Sequence, residues 1–538
     1  MKVQLRVRAN KLQLQRTSFF KRKKLNPFCE IILLSRSYDS HGRQQRTVIG
    51  RTETISNTSD PYWLKHFELD YKLSKELYFE VSVYHEYEDE DGVKRTPLGC
   101  STFETGNILG NSLNRAVKWL KDSGSICVMV QREQKHMEEK ILSLKLSVEL
   151  QKESRVFYEV ERKLQCSGEN SSSWQPICRS DYDMDKVKSR EWPESSMVIT
   201  EENPSLRITL RSHSTKKGNV LIGYVETSVN KLLQTLDHDE SLELDWCAPK
   251  SQGKDGENKI KVVSISIIED RSEKDDTVNE CTNYSEPTFI NYITGACTLS
   301  LYVAIDYTIS NGDPRKEESL HCIHPRGKLN DYESAIFSIG EVVAKYDSDQ
   351  KFPVWGFGAK FEGIVRNAFQ VGGKDEVDGI NGILQAYRSS FQSGLVMSSP
   401  CVLTDVIRAA ASRATQSLHI AMANGGLAYS ILLILTQGNI DDVNSTKEIL
   451  IEASAAPLSV IIVGIGNNDF TDMQFLDDYH EAEGERDICN FVEFEKYRSE
   501  DISVLRSATL DEIPEQLSSY FYKRGIMPSS KVFDNSPF

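Results

Sequence analysis

No stretch of this chain is long and apolar enough to span a bilayer. The strongest runs, Ile431 to Leu435 and Val460 to Ile465, fall far short of the ~20 residues a spanning helix needs. The N-terminus lacks the continuous apolar core of a secretory signal. Paired cysteines are missing too. The eleven cysteines run from Cys29 to Cys489 without one Cys-x-x-Cys pair, which argues against a disulfide framework and against a zinc site. A reducing cytoplasmic setting fits this usage. Gly-x-Ser-x-Gly, His-Glu-x-x-His and Walker-type glycine loops are absent, so the chain is expected not to be an enzyme. Its formal net charge of −15 lacks the basic surface that phosphate neutralisation demands, and nucleic acid is not an expected partner.

At 538 residues the chain exceeds one ordinary core, and roughly 150 residues per domain suggests three or four domains. Residues 1–132 predict short strands at Val3 to Val7, Phe28 to Leu34, Trp63 to Tyr71, Leu77 to Tyr84 and Ile126 to Val130, with turn-forming segments between them. A charged linker follows. Residues 141–268 repeat the pattern with strands at Leu142 to Leu150, Leu206 to Leu210, Ile222 to Glu226 and Ile260 to Ile268. The polar stretch Glu269 to Glu286 closes this region.

From 289 to about 525 the rhythm changes. Apolar runs at Leu299 to Ile305, Val354 to Phe357, Ile431 to Leu435, Val460 to Val463 and Phe491 to Phe494 alternate with helical spacing at Tyr332 to Tyr346, Ile380 to Phe391, Leu403 to Ala414, Thr446 to Ala455 and Ile513 to Tyr522. Strands apolar on both faces, each followed by a helix, predict a doubly wound parallel sheet. Ligands in such sheets bind beyond the carboxyl ends of the strands. There Asp306, Thr308 and Ser310 stand at every second position, and an extended backbone would point all three to one side. A carboxylate with two hydroxyls suits magnesium; an Asn-Gly-Asp-Pro turn with locally satisfied polar groups is the other reading.

Ala304-Ile-Asp-Tyr-Thr-Ile-Ser-Asn-Gly-Asp-Pro314, Tyr346-Asp-Ser-Asp349, Gly356-Phe-Gly-Ala359 and Ser459-Val-Ile-Ile-Val-Gly-Ile-Gly-Asn-Asn-Asp-Phe-Thr-Asp-Met473 resemble the copine family. Gly50-Arg-Thr-Glu-Thr-Ile-Ser-Asn57 and Asp60-Pro61-Tyr62-Trp63 resemble its first C2 domain. The resemblance implies two all-β C2 sandwiches (1–132 and a degenerate 141–268), an α/β von Willebrand factor A-like domain (289–525) and a tail (526–538). It implies calcium-dependent binding to anionic phospholipid membranes and recruitment of a protein partner through the A domain, in a cytoplasmic protein peripheral at the plasma membrane or other internal membranes. A cytosolic interaction adaptor without calcium or membrane binding is the alternative.

The same resemblance implies lost ligands. Leu25-Asn26-Pro27-Phe28 replaces Ser-Asp-Pro-Phe in the first calcium loop, and Tyr84-His85-Glu86-Tyr87 replaces Tyr-Asp-x-Asp in the third. In the second sandwich the first ligand loop is expected to be deleted between Val148 and Phe157. At the A domain, Asp306, Thr308 and Ser310 are expected to form a degraded magnesium site. Cys401, or Thr404 after a small gap, stands at its threonine, and Gln437 replaces its second aspartate. The loop Phe19-Phe20-Lys21-Arg22-Lys23-Lys24 is the candidate membrane contact, with two aromatics beside four cations; a solvated loop is its other reading. Asp181-Tyr-Asp-Met-Asp185 and Asp237-His-Asp-Glu240 are expected to be solvated polar segments.

Overall fold

Alternation along the N-terminus produces the first strand. In Lys2–Asn10 (β1), Val3, Leu5, Val7 and Ala9 are buried while Gln4, Arg6, Arg8 and Asn10 stay half-buried, the period of a sheet with one face on a core. The structure, a computed structural model, describes residues 1–14, 25–38, 44–89, 92–111, 113–121, 123–132, 140–164, 173–180, 187–192, 195–199, 204–212, 220–237, 241–243, 259–268, 286–347, 349–361, 363–477 and 486–529. Strands β2 (Pro27–Tyr38), β3 (Gln44–Arg51), β4 (Phe67–Asp70), β5 (Tyr78–Asp89), β6 (Gly92–Glu104), β7 (Arg115–Trp119) and β8 (Ser125–Arg132) follow. They form antiparallel sheets in the orders β4-β1-β8-β7 and β3-β2-β5-β6. Trp63, Phe79 and Val128 fill the space between them.

The strand expected at Trp63 to Tyr71 shrinks to Phe67–Asp70. Its first residues turn to a carboxylate instead of a neighbouring strand: the backbone N–H of Leu64 donates to Glu53 at 2.6 Å and that of Lys65 at 3.4 Å. The helix α1 (Thr105–Leu109) starts where Glu104 accepts the N–H groups of Gly106 and Asn107 at 3.1 and 2.7 Å, a side-chain cap on otherwise unpaired donors.

The second all-β region comprises β9 (Lys140–Ser154), β10 (Val156–Leu164), β11 (Ser173–Arg179), β12 (Val187–Glu191), β13 (Ser195–Ile199), β14 (Ser205–Ser212), β15 (Val220–Ser228), β16 (Ser241–Glu243) and β17 (Lys259–Ile268). Its sheets run β12-β9-β17-β16, with β13 also on β9, and β11-β10-β14-β15. They enclose a core of their own around Leu144, Tyr158, Trp192 and Ile208. Between β9 and β10, which belong to different sheets, the chain passes through Arg155 alone, so a ligand loop has no length there.

In the third region β18 (Cys297–Asp306), β19 (Lys351–Phe352), β20 (Val354–Phe357), β21 (Ala359–Phe361), β22 (Ile364–Arg366), β23 (Phe369–Gln370), β24 (Val377–Asp378), β25 (Val396–Met397), β26 (Leu427–Thr436), β27 (Leu458–Gly464) and β28 (Cys489–Glu493) appear. The main sheet runs β23-β20-β18-β26-β27-β28, parallel except for β23. Both faces are covered: Leu301, Val303 and Ile305 join one core while Tyr302 and Ala304 join another, as period-two side chains in a doubly wound sheet must. Its helices are α3 (Phe289–Thr294), α4 (Asp331–Val343), α5 (Gly379–Ser390), α6 (Thr404–Ala423), α7 (Val443–Ala453), α8 (Thr471–Asp477), α9 (Ile502–Leu510) and α10 (Ile513–Lys523). The second region contributes α2 (Val229–Asp237).

The first sandwich docks on this domain by the end carrying the β4–β5 connection and α1. The Tyr71 and Tyr346 hydroxyls meet there. Glu76 pairs with Arg506 at 3.0 Å and Lys345 at 3.6 Å, and Lys345 also approaches Glu104 at 3.5 Å. Ser74 donates to Asp511 at 2.6 Å, and Asn114 donates to the Thr294 carbonyl at 3.1 Å. Approach is so close at Gly110 that a Cβ would overlap the Lys345 carbonyl oxygen.

Candidate functional site

Strand β18 ends on Asp306, which is fully buried at the carboxyl edge of the parallel sheet. The backbone beyond it does not stay extended. Thr308 pairs with Ser398, and Ile309–Asn311 form a 3₁₀ turn closed by Gly312 at φ 86°, so the three expected ligands do not share one side of a strand. Turning satisfies the polar groups at once. Asp306 Oδ1 accepts the Thr308 N–H at 2.8 Å, and Oδ2 accepts the Thr436 hydroxyl at 2.9 Å and the Gln437 N–H at 3.1 Å. Burial pushes the Asp306 carboxyl up from the ordinary range, and these donors oppose the shift.

The two hydroxyls do come together, 3.0 Å apart, but a donor already fills the place a cation would take. Gln437 Nε2 donates to Ser310 Oγ at 2.7 Å, and Asn311 Nδ2 donates to Thr308 Oγ1 at 3.2 Å. Gln437 is held in that pose by Asn468, whose Nδ2 donates to its Oε1 at 2.7 Å and to its carbonyl at 2.8 Å. Cys401 sits beside Asp306 and Thr436, and burial and the Asp306 charge push its thiol up; Thr404 opens α6 instead. Among the described residues no group of three metal-ligating side chains converges. One carboxylate, a protonated thiol and an inward-pointing amide N–H do not fit magnesium, which asks for oxygen lone pairs in tight octahedral array.

A buried aromatic layer supports this edge. His321 Nε2 lies 2.8 Å from the Asp306 carbonyl, which can only accept, so Nε2 carries the proton and Nδ1 accepts the Tyr387 hydroxyl at 2.8 Å. Burial drives the His321 pKa down to about 3, keeping the ring neutral. Tyr332 donates to Asn311 Oδ1 at 2.7 Å. Sequence reasoning missed His321, Tyr387 and the role of Asn468. His321 lies in a loop without periodicity, whereas Asn468 stood inside a motif already noted.

At the far end of the first sandwich the positions aligned with calcium carboxylates bond to one another. The Asn26 N–H donates to His85 Nδ1 at 3.0 Å, Asn26 Nδ2 donates to the Glu86 carbonyl at 3.1 Å, and the Asn57 N–H donates to Asn26 Oδ1 at 3.0 Å. The Glu86 carboxylate is taken by the Thr54 hydroxyl at 2.9 Å and Arg51 at 3.3 Å. Tyr87 stacks on His85 with centroids 5.5 Å apart. Calcium needs six to eight oxygens, and this cluster does not fit it. Phe19, Phe20, Lys21, Arg22, Lys23 and Lys24 lie outside the described residues, as do Asp181 to Asp185.

Comparison with known proteins decides the lineage. A family model of the copine domain matches residues 319–529, and one of the C2 domain matches 3–120. Copine-E of Dictyostelium discoideum is 30% identical over 507 residues, covering 90% of this chain and 81% of that protein. The chain belongs to the copine family. Protein BONZAI 1 of Arabidopsis thaliana is 40% identical over 266 residues, 47% of this copine and 44% of that protein, so the match spans less than half of BONZAI 1. The solved structure BON1-C2B aligns at 12% identity, covering 24% of this chain and 93% of that one with a TM-score of 0.21. The two family models and the sheet topology together give this copine an N-terminal C2 sandwich followed by a mixed α/β domain of the A type.

Proposed function

We propose that this chain is a peripheral membrane protein whose first sandwich docks on anionic phospholipid without a calcium requirement, while its A domain offers a metal-free edge to a protein partner. The Asn26–His85 contact carries the reading. A loop pair that bridges its own ligand positions with a backbone N–H and a neutral imidazole gains nothing from a cation there. The Gln437 amide at Ser310 makes the same substitution at the A domain. The division into 1–132, 141–268, 289–525 and the tail 526–538 belongs to this reading, and the core that the second region keeps to itself supports its bounds. Among the described residues no helix is long and apolar enough to cross a membrane, which suits reversible attachment from the cytoplasm to the plasma membrane or internal membranes. Fixed cations, including Lys21 to Lys24, take the role that calcium has in other C2 domains.

Vesicle co-sedimentation of the full chain with calcium, with chelator and at raised salt tests this. Binding that survives chelator and falls with salt is the expected result, because contacts between exposed charges are screened within a Debye length. Binding that requires calcium overturns the reading, and no binding in any condition leaves the cytosolic adaptor.

A further inference from the structure

Trp119 is 76% exposed at the end of β7, an edge strand whose Val117 is 44% exposed. An indole so far out of the core, in a sheet that buries its apolar residues elsewhere, calls for a covering surface. Its neighbours define which one. Across the outer face, Trp119 stands opposite Ser125 and that residue opposite Asn10; Val117 opposite Cys127 and that residue opposite Arg8; Arg115 opposite Met129 and that residue opposite Arg6. Cys127 and Met129 are buried beneath these side chains, so the half-buried arginines pack their stems over sulfur-bearing apolar surface. Arg6 Nε has no hydrogen-bond partner among the described residues. Tyr62, 37% exposed, bridges to Arg8 on the opposite rim. The described acids nearby are engaged: Glu68 pairs with Lys2 at 3.5 Å, and Asp60 accepts the Lys11 N–H at 2.8 Å.

We propose that this outer face, with Trp119 at its rim and Arg6, Arg8 and Arg115 across it, is laid against an anionic phospholipid surface. The proposal rests on the membrane-docking reading above and adds the surface that performs it. Charge complementarity selects the occupant, since three arginines flanked by two amphipathic aromatics match a headgroup layer over hydrocarbon. Position agrees. The β7–β8 turn lies beside the segment entering the basic loop, where Ser123 donates to the Gln13 carbonyl at 2.6 Å, and this end is opposite the one docked on the A domain. The face is built from β4, β1, β8 and β7, whereas the ligand-position cluster around Asn26 and His85 sits on the strands of the other sheet.

The test uses the full chain in chelator with phosphatidylcholine vesicles made with and without phosphatidylserine, and compares wild type, Trp119→Ala, the double variant Arg6→Gln with Arg8→Gln, and a loop variant with Lys21 to Lys24 neutralised. Wild type binds the phosphatidylserine vesicles, and the first two variants each weaken binding by roughly tenfold. Brominated lipid quenches wild-type fluorescence, and the part lost in Trp119→Phe reports the indole in the bilayer. Circular dichroism of Trp119→Ala stays that of wild type, because the side chain is mostly in water. If both face variants bind as wild type while the loop variant fails, docking stands and this surface is refuted. Equal wild-type binding to vesicles lacking phosphatidylserine also refutes it. Wild type that binds neither vesicle removes the docking reading and this surface together.

Discussion

Replacing Gln437 by aspartate asks whether a neutral amide has taken the place of a cation at the A-domain edge. The substitution removes the Nε2 donor to Ser310 and the Oε1 acceptor of Asn468, each worth about 1 kcal/mol. It also introduces a second carboxylate beside buried Asp306. At an effective dielectric of ~20, like charges a few ångströms apart add roughly 2–4 kcal/mol of repulsion. In chelator, Gln437→Asp is therefore expected to lose about 4–6 kcal/mol, a drop of many degrees in melting temperature. Millimolar magnesium should recover part of that loss by mass action, because the added carboxylate supplies the missing hard ligand. Wild type should melt identically in magnesium and in chelator. Differential scanning calorimetry of both proteins in both buffers measures this. A wild-type melt that rises with magnesium, or a variant as stable as wild type in chelator, refutes the argument that Gln437 closes the site.

Gly110→Ala should separate the first sandwich from the A domain, since its Cβ would overlap the Lys345 carbonyl oxygen; small-angle scattering should show a larger radius of gyration with circular dichroism unchanged. His85→Ala removes the acceptor of the buried Asn26 N–H and should cost about 1–3 kcal/mol in urea unfolding. Burial and the neighbouring Asp349 carboxylate push Asp347 up to about 7. A carboxyl raised in the folded state binds its proton more tightly there than in the unfolded chain, so its contribution to stability falls as pH rises from about 4 to about 7 and is level above. The difference in unfolding free energy between wild type and Asp347→Asn, followed from pH 5 to pH 8, should change by a few kcal/mol; a difference independent of pH removes this group from the profile.

The buried strands were legible and the edges were not. β1, β2, β5 and β8 carry apolar residues at alternate or consecutive positions, whereas β3, β6 and β7 lie at sheet edges with largely exposed side chains, and an unburied strand leaves no apolar period to detect. In the parallel sheet, β18, β26 and β27 were visible because both faces are covered. Helix α6 runs to Ala423, beyond its expected end at Ala414, since its last turns carry exposed Ile420 and Met422 that blur the amphipathic pattern. The candidate site was half-visible. Asp306 at a strand end followed from pattern, but its closure depends on Gln437 and Asn468, more than a hundred residues away. Spacing cannot show that an amide from one loop meets a hydroxyl from another.

The contact between Glu76 and its two cations, Arg506 and Lys345, gives the first sandwich a mechanical role. Its strands run from the A-domain contact at one end to the Asn26 and Trp119 region at the other, and nine residues of β1 correspond to about 30 Å of extended chain. With its β4-β1-β8-β7 face laid on a bilayer as proposed, the sandwich acts as an outrigger whose strands run along the headgroups. The A domain is then held to one side of the docked face, and the Glu76 contacts with Arg506 and Lys345 fix the angle at which the Asp306 edge of its sheet faces the headgroups.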